Sequence, residues 1–356
     1  MEKKMKKIVV YPYENRVFST IEKWVTGKYD EAIYCIPQDK FLEGKDLAIL
    51  DNREKIGKIL STDIEKELKN ASALLIVDNV WCTKLANNLI DIIERALYQG
   101  LKIYICSKQI KLPQQIMKEY ANQIVLFDKN IGDKKKISEE FYYKQISTPV
   151  LFVTNMFEES DSYEITVNIT ENLKQKGLKI LTLTNAYEGN LLGYSCIKDI
   201  LDSSKDIEEK ISLINSYVSE CEKKEKIDLI IIEIPGGIYP YNKYLRNDLG
   251  TYLYMVNKAV PADYIILCAM FDLYGNAFFE KIEKDIEERF KSRLFAVHIS
   301  RKILDVDLAV ESHKFGYLYV DEQRVKKETD WKKEIPVFNG IDEHDIEFIC
   351  SKLKED

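Results

Sequence analysis

The residues with the clearest chemical potential occupy positions 155–164, in a loop between an apolar run and a predicted helix. Such a loop binds phosphate when glycines let its backbone wrap the anion and a lysine offsets the charge. This loop has no glycine and no lysine, and it has carboxylates at Glu158, Glu159, Asp161 and Glu164. Because negative charges repel a triphosphate, we predict that the loop does not hydrolyse ATP or GTP.

The start of the helix that follows has its own signal. Asp161 and Glu164 have the spacing of a capping box, in which side chains accept hydrogen bonds from the first free N–H groups of a helix. Acidic side chains at this end also complement the helix dipole. We therefore expect these two residues to satisfy the helix start, and Asn155 is the loop's candidate binding residue.

A second constellation follows the apolar run 229–232, where Glu233 precedes a Pro-Gly-Gly turn at 235–237. Parallel α/β sheets place their ligands beyond the carboxyl ends of the strands, so a carboxylate at a strand tip is a candidate ligand group. A simple Gly-Gly turn after a core strand is the alternative. The candidates on this face are Glu233, Gly236, Gly237, Tyr239, Tyr241, Asn242, Tyr244 and Asn247.

Tyrosines favour a contact surface at residues 233–247. The chain has 22 of them, and Tyr239, Tyr241 and Tyr244 lie within six residues. Tyrosine offers a large, rigid contact area at low entropy cost and is enriched at interfaces. We predict that these three are exposed anchors for a partner, while internal packing is the alternative for Tyr252 and Tyr254.

The first third of the chain offers weaker candidates. Asp78 and Asn79 follow a predicted strand at 73–77, where they could bind a ligand or merely turn the chain. No G-x-G-x-x-G motif follows the first strand, so a dinucleotide site lacks support. Cys35, Cys82 and Cys106 lie near strand ends, but a buried small hydrophobe is the commoner use of a free cysteine.

Composition narrows the function classes. The chain has 356 residues and a net charge of −7, with both signs interspersed, which argues against general nucleic-acid binding. Its 7 scattered cysteines form no C-x-x-C pair, and its 3 histidines disfavour a histidine metal centre, so we expect no metal and no cofactor. No signal peptide or membrane-spanning run is recognisable, and we expect a cytoplasmic protein. The lysines at Lys3, Lys4, Lys6 and Lys7 indicate a solvated N-terminus.

Short apolar runs alternate with amphipathic helical patterns along most of the chain, which predicts parallel α/β sheets. Residues 149–183 form a strand–loop–helix–strand unit like the one that opens P-loop nucleotide-binding domains. We predict a Rossmann-like domain at 1–146, a P-loop NTPase-like domain with a degenerate loop at 147–300, and a C-terminal extension at 301–356. The charged segment 128–147 is the predicted link, and 343–354 a terminal helix.

The E-x-x-G-G pattern from Glu233 to Gly237 resembles the strand end of dethiobiotin-synthetase-like P-loop enzymes. In that fold the acidic residue lies near the metal and the phosphates. The resemblance implies a Walker-B-like element beside a loop that has lost its Walker A residues. It leaves open a nucleotide-dependent ligase or kinase relative with Glu233 as metal ligand, which would need a lysine from another segment.

A second resemblance rests on the stretches 11–13, 44–46, 149–153 and 234–238 together with Asn242, Asn247 and Gly250. In these residues the chain resembles a clostridial family called the peptide maturation system protein, which is found beside radical-SAM maturases of ribosomally made peptides. Members keep a more basic, glycine-containing loop at 155–162, and this chain has Ser162 where they tend to have lysine. The resemblance implies an accessory protein whose partner is a precursor peptide, a radical-SAM maturase or both.

Two interpretations of the function remain, since a third, a flavin or nucleotide-sensing module in the first domain, has no motif. The first is an accessory protein that binds a peptide or a maturase without catalysis, and the second is the nucleotide-dependent enzyme. Catalytic residues are not identifiable from the sequence, a homo-oligomer is left open, and we expect neither nucleic-acid nor membrane partners.

Overall fold

The computed structural model describes residues 5–37, 40–131, 143–330 and 333–355. Contacts divide the chain into two compact units. Unit 1 comprises Met1–Lys129 with Ala186–Gly193, and unit 2 comprises Asn130–Asn185 with Tyr194–Asp356. Lys3, Lys4 and residues 132–142 of the expected link lie outside the described residues, so the predicted boundary at residue 146 stays a prediction.

Unit 1 is built on a parallel sheet. Its strands are β1 (Lys7–Tyr11), β2 (Glu31–Cys35), β3 (Leu60–Ser61), β4 (Ala73–Ile76), β5 (Lys102–Ile105) and β6 (Ile124–Leu126). Their order is β3-β2-β1-β4-β5-β6, and the paired strands are parallel. This is the Rossmann order, in which the order of the strands reverses between β1 and β4 and ligands bind at that switch point. The Rossmann-like prediction is confirmed.

Amphipathic helices cover the sheet of unit 1. They are α1 (Phe18–Val25), α2 (Ile64–Leu68), α3 (Val80–Lys84), α4 (Ala86–Tyr98) and α5 (Gln114–Glu119). Short 3₁₀ helices occur at Asn15–Val17, Lys40–Leu42, Leu47–Leu50 and Tyr187–Leu192. Leu89, Ile93 and Leu97 of α4 recur every four residues and join the core against β4 and β5, which is why this segment is helical.

Unit 2 has a longer parallel sheet. Its strands are β7 (Val150–Asn155), β8 (Ile180–Thr184), β9 (Ser195–Cys196), β10 (Leu229–Ile234), β11 (Tyr264–Ala269), β12 (Arg293–Ile299) and β15 (Val337–Phe338), while β13 (Lys302–Leu304) and β14 (Tyr317–Tyr319) form a separate antiparallel pair. The sheet order is β15-β12-β11-β7-β10-β8-β9. The first strand, β7, is central, and β10 lies directly beside it. The predicted fold class is confirmed.

The helices of unit 2 are α6 (Ser162–Gln175), α7 (Lys198–Asp202), α8 (Ile207–Lys224), α9 (Thr251–Ala259), α10 (Asn276–Phe290), α11 (Val306–Ser312), α12 (Glu322–Lys326) and α13 (Glu343–Glu355). Among the described residues, no helix is both long and apolar enough to cross a membrane.

Both faces of the unit 2 sheet are buried, so its central strands are continuously apolar. Val150 and Phe152 face one core with β10 residues such as Ile232. Leu151 and Val153 face the other core, which α6 and α13 cover. This double burial fixes the position of the loop after β7, because the strand before it and the helix after it are both held by core side chains.

The segment 301–356 contributes to the body of unit 2. The sequence pattern gives no strand at 337–338, yet β15 pairs there with β12. Two residues are too few to show a periodicity, and the pairing depends on a neighbouring strand that is distant in sequence. The predicted terminal helix is present as α13, and it packs against α6.

Candidate functional site at the carboxyl edge of unit 2

The loop between β7 and α6 is closed by an asparagine. The Asn155 side chain donates from Nδ2 to the Ser162 hydroxyl at 2.8 Å and accepts the Ser162 backbone N–H at 3.0 Å. Asn155 is buried, so it holds the loop ends together and is not exposed to a ligand.

Asp161 does not cap α6, and the expected capping box is wrong. Its backbone is left-handed, with φ at 78°, and its carboxylate makes no capping hydrogen bond. Oδ1 lies 2.8 Å from the Lys302 ammonium, and Oδ2 lies 3.4 Å from His298 Nε2 and accepts a hydrogen bond from the Ser300 hydroxyl. A buried carboxylate binds a full positive charge more strongly than a backbone N–H, so the Asp161 side chain pairs with Lys302 and does not cap α6.

The hydrogen bonds around His298 define its tautomer. The Gly340 N–H donates to Nδ1 at 2.9 Å, so the ring proton lies on Nε2 and points towards Asp161. Burial alone would raise the pKa of Asp161, but Lys302 and His298 hold it well below its usual range. Burial alone would lower the pKa of Lys302, but the Asp161 carboxylate raises it above its usual value. The pair is therefore a stable internal ion pair.

A P-loop binds phosphate with the loop that connects its first strand to the next helix, and in this chain the corresponding loop carries Asp161 of the ion pair. If Ser162, which contacts Glu233, is the last residue of a G-x-x-x-x-G-K-[ST] pattern, then Asp161 stands at the lysine position. The family resemblance instead aligned the lysine with Ser162, which is one residue later in the chain. A lysine is present after all, because Lys302 reaches the loop from β13, but Asp161 neutralises it. The lysine that reaches this loop is therefore already paired with a buried carboxylate.

Glu233 lies at the tip of β10 and is buried. Its carboxylate accepts the Asn185 backbone N–H at 2.5 Å and the Ser162 hydroxyl at 3.3 Å. Both contacts are internal, so Glu233 joins the ends of β10, β8 and α6.

Close approach of two side chains explains the Gly-Gly turn. Gly236 has φ at +77°, and a Cβ there would lie 2.5 Å from Asp248 Oδ1. A Cβ on Gly237 would lie 2.8 Å from Asn247 Cγ, and the Gly237 N–H donates to Asp248 Oδ1 at 2.9 Å. The glycines thus let the segment 247–248 pack onto the end of β10.

The three tyrosines that were predicted to form an exposed surface differ in how far they are exposed. Tyr239 is half-buried, and its hydroxyl donates to Asp285 at 2.5 Å. Tyr241 is 38% exposed and packs edge-on against Phe157, whereas Tyr244 is 55% exposed and stacks on His313 at 4.1 Å between ring centroids. The location of Tyr239 differs from the predicted exposed anchor because α10 offers it a carboxylate.

The predicted asparagines organise the turn beneath these rings. Asn242 accepts the N–H groups of Tyr244 and Leu245, each at 2.8 Å. Asn247 is left-handed and accepts the Glu158 N–H at 3.2 Å, while its Nδ2 donates to the Tyr239 carbonyl. Asn247 therefore links the β7–α6 loop to the tyrosine segment.

An open cleft of about 700 Å³ lies over this arrangement. Its lining comes from the β7–α6 loop, the segment 235–248 after β10, the end of α11 to the start of β14, and single residues after β8, in α7 and in α9. The lining residues are Glu158, Glu159, Asn185, Asp202, Pro235, Gly236, Tyr244, Leu245, Arg246, Asn247, Asp248, Tyr252, His313, Lys314, Phe315 and Tyr317. Gly236, Tyr244 and Asn247 are thus the predicted residues that share one concave surface. We refer to it as the unit 2 cleft.

Asp78 and Asn79 belong to unit 1, at the switch point of its sheet. Asn79 Oδ1 accepts the Trp81 N–H at 2.9 Å and caps α3, and Asn79 Nδ2 donates to the Pro12 carbonyl at 2.7 Å. Asp78 Oδ1 accepts the Ser107 hydroxyl at 2.5 Å. Asn79 therefore turns the chain, as the alternative interpretation expected.

A buried carboxylate that the sequence did not indicate lies beside Asp78. Glu188 is fully buried, accepts the Asp78 N–H at 2.6 Å, and lies 3.9 Å from the Arg16 guanidinium. Burial raises the pKa of Glu188 to about 7, with Arg16 lowering it and Asp78 raising it further. Glu188 Oε2 is buried without a hydrogen-bond partner among the described residues. Its segment lacks any periodic pattern, so no sequence signal marked it.

The cysteines near the strand ends are buried thiols. Cys35, Cys82 and Cys106 are buried, and burial raises the pKa of each thiol, that of Cys82 to about 11. Thiols in this state are poor nucleophiles at neutral pH.

The comparisons with known proteins show a fold. No protein-family model and no curated protein matches the sequence. A DUF1611 family protein from Anabaena variabilis has a similar structure, with a TM-score of 0.61 at 10% identity, over 99% of this chain and 100% of that one. At this identity the likeness shows a common fold over nearly the whole chain.

Two further structures match a smaller part, each covering 59% of this chain. One is cobyrinic acid a,c-diamide synthase from Mycobacterium smegmatis with bound ADP and magnesium, at 11% identity, 95% coverage of that chain and a TM-score of 0.34. The other is the cell division protein MinD from Aquifex aeolicus, at 17% identity, 98% coverage and a TM-score of 0.35. Neither likeness is close enough to assign a ligand to this chain.

Proposed function

We propose that this chain is a non-hydrolysing accessory protein that binds a peptide segment in its unit 2 cleft. The observation that carries the proposal is the contrast between two neighbouring features. In the loop that corresponds to a P-loop, Asp161 is paired with Lys302, while the cleft beside it is open. A ligand would meet the cleft walls and not the loop's backbone.

The electrostatics of the loop oppose a nucleotide. A triphosphate would need Lys302 to leave Asp161, and the buried carboxylate would then be left without its charged partner. Breaking a buried ion pair in this way costs about 3–5 kcal/mol. Glu158 and Glu159 would add repulsion at the same edge.

The cleft has the size and chemistry of a recognition site. Its volume of about 700 Å³ is typical of ligand pockets. Tyr244, Tyr252, Phe315 and Tyr317 supply aromatic area, and polar side chains surround them. The resemblance to the peptide maturation system protein supports the context, in which the segment belongs to a precursor of a ribosomally made peptide natural product or to a radical-SAM maturase.

Calorimetry with a synthetic library of short peptides, followed by the tightest binder from that library, tests this function. In calorimetry, Tyr244→Ala should weaken binding by about 2 kcal/mol, roughly 30-fold, if Tyr244 is an anchor. Tyr254→Ala is the matched control, because Tyr254 is 53% exposed but does not line the cleft. Equal losses in both variants, or peptide binding that Tyr244→Ala leaves unchanged, would contradict the proposal.

The nucleotide-dependent ligase or kinase remains a second candidate for one reason. The Ser162 hydroxyl lies 3.3 Å from the Glu233 carboxylate, a pairing that resembles the metal-binding pair of P-loop enzymes. Phosphate release from magnesium ATP or GTP, abolished by Glu233→Gln, would favour this candidate. We expect no release above background.

A further inference from the structure

We propose that residues 240–246 form a lid over the unit 2 cleft, which opens when Leu245 leaves a small apolar cluster while both main cores of unit 2 stay folded. The inference concerns access to the cleft of the proposed function, and it rests on that function only for the ligand that the cleft admits. Three observations lead to it: the lid is bonded to itself, its two ends are fixed, and its buried anchor lies outside the main cores.

The lid contains no helix or strand, and its hydrogen bonds are internal. The N–H groups of Tyr241 and Asn242 donate to the Leu245 carbonyl at 2.8 Å and 3.3 Å. Asn242 Oδ1 in turn accepts the N–H groups of Tyr244 and Leu245, each at 2.8 Å. In the part of the chain that the structure describes, no hydrogen bond joins residues 240–246 to a residue outside the lid. The lid therefore moves as a unit without losing a hydrogen bond to the body of unit 2.

The residues on both sides of the lid are fixed. On one side, Tyr239 is half-buried and its hydroxyl is bonded to α10. On the other side, Asp248 Oδ1 accepts the Gly237 N–H at 2.9 Å, and the Gly250 N–H donates to the Gly237 carbonyl at 3.2 Å. Asn247, directly after the lid, has a left-handed backbone with φ at 53°, a conformation that asparagine tolerates better than most residues. Movement is thus confined to the residues between Tyr239 and Asn247.

Leu245 is the buried residue of the lid, and its cluster is small. It is 5% exposed, and the other buried members of the cluster are Met270, Leu304 and Ala309. Leu304 belongs to β13 and Ala309 to α11, which lie outside the unit 2 sheet. The two cores on the faces of that sheet contain none of these four residues. Segments with few buried apolar contacts open at a lower free energy than the core, so this cluster opens first.

Two exposed aromatic contacts complete the closed position. Tyr244 stacks on His313 at 4.1 Å between ring centroids, and both residues line the cleft from different segments. Tyr241 meets Phe157 edge-on at 5.6 Å between ring centroids. Because Tyr244 is 55% exposed and Tyr241 is 38% exposed, water competes for both contacts. When the lid is withdrawn, Tyr244 leaves the wall and the cleft widens on that side.

Thiol labelling of the full-length protein tests the lid. The variant Leu245→Cys places a thiol at the anchor, and Leu253→Cys is the matched control, because Leu253 is 1% exposed and lies in a main core. Iodoacetamide modifies each thiol only when it becomes exposed, and peptide mass spectrometry distinguishes it from the 7 native cysteines. We expect the thiol of Leu245→Cys to react at least about 100-fold faster than that of Leu253→Cys.

The urea dependence of labelling distinguishes local opening from global unfolding. The effect of urea scales with the surface that an opening exposes. Low urea concentrations should therefore accelerate the labelling of Leu253→Cys and leave that of Leu245→Cys nearly unchanged. Equal rates with equal urea dependence would overturn the inference.

The parent protein provides a second test, which does not depend on how either variant folds. Lys243 and Arg246 are exposed and lie within the lid. Proteases cut most readily where an exposed segment opens locally, so trypsin should first cleave after one of these two residues. Lys284 is the control, because its side chain is 75% exposed but lies on α10. Cleavage after Lys284 at the same rate would show that only global unfolding frees the lid, and the inference would be wrong.

The outcomes separate the lid from the function on which it rests. If the lid opens locally but no library peptide binds in calorimetry, the lid stands and the peptide function is wrong. If the thiol of Leu245→Cys reacts only on global unfolding while a peptide binds and Tyr244→Ala weakens that binding, the lid is wrong and the peptide function stands.

Discussion

Asp161 in unit 2 and Glu188 in unit 1 are both buried carboxylates near the carboxyl edge of a parallel sheet, and their pKa values are shifted in opposite directions. In unit 2, Asp161 has Lys302 at 2.8 Å, and its pKa is held well below its usual range. In unit 1, Glu188 has Arg16 only at 3.9 Å, and burial raises its pKa to about 7. Burial penalises both anions, so the proximity of a cation decides which one stays ionised.

The comparison has a consequence for stability at different pH values. Asp161 binds protons less tightly in the folded chain than in the unfolded one. Its ionised form therefore stabilises the folded state above about pH 4, and this stabilisation is lost as the pH falls below its usual pKa of 3.8. Glu188 binds its proton more tightly when folded. Protonated Glu188 therefore stabilises the folded state fully below pH 4.5, and this stabilisation is lost as the pH rises through about 7.

The largest effect should come from Lys302→Met. This variant leaves the Asp161 carboxylate buried without its ammonium partner, and we expect unit 2 to lose about 3–5 kcal/mol. Hydrogen exchange in peptides from β7 and β10 measures this loss without requiring two-state unfolding. Lys284→Met is the control, because Lys284 is 75% exposed on α10, and a similar loss there would show that the ion pair is not the cause.

A smaller effect is expected from Glu188→Gln, which should remove the pH dependence of unit 1. The raised pKa, from 4.5 to about 7, corresponds to at most about 3 kcal/mol between acid and alkaline conditions. Exchange protection of β1 and β4 should fall between pH 5 and pH 8 in the parent chain and stay nearly constant in the variant. An unchanged profile in the variant would locate the titrating group elsewhere.

Ser300→Ala should cost about 1 kcal/mol in unit 2. The Ser300 hydroxyl donates to Asp161 Oδ2, but Lys302 and His298 remain as partners of the same carboxylate. Urea denaturation of the parent protein and of the Ser300→Ala variant measures the difference in the free energy of unfolding. A loss as large as that of Lys302→Met would mean that the hydroxyl, and not the ion pair, holds the loop.

The smallest effect on stability should come from Arg16→Met. Arg16 is 40% exposed, so solvent screens its attraction to Glu188 and the loss should be under about 1 kcal/mol. Because Arg16 lowers the pKa of Glu188, its removal should move the pH transition of unit 1 upward. Arg95→Met, which breaks an exposed pair with Glu65, should leave that transition in place. If the transition of the Arg16→Met variant moved to lower pH, the assignment of this transition to Glu188 would be contradicted.

The sequence by itself determined the α/β class, the central strand β7 and the absence of phosphate-binding residues from its loop. These features depend on local patterns: a buried parallel strand reads as a continuous apolar run, and a Walker lysine must stand at a fixed distance from its glycines. The Gly-Gly turn after Glu233 was visible for the same reason. The reason why glycine is needed at both positions was not visible, because Asp248 and Asn247 approach the turn only in the folded chain.

Only the tertiary structure decided the electrostatics. Asp161 is separated from Lys302 by 141 positions in the sequence, and Glu188 from Asp78 by 110, so no spacing rule connects either pair. The tyrosines 239, 241 and 244 have the same local character, yet Tyr239 is half-buried and bonded to Asp285 of α10, while Tyr244 is exposed. Ionisation and exposure depend on what the fold brings within a few ångströms, and that information is absent from the local order of residues.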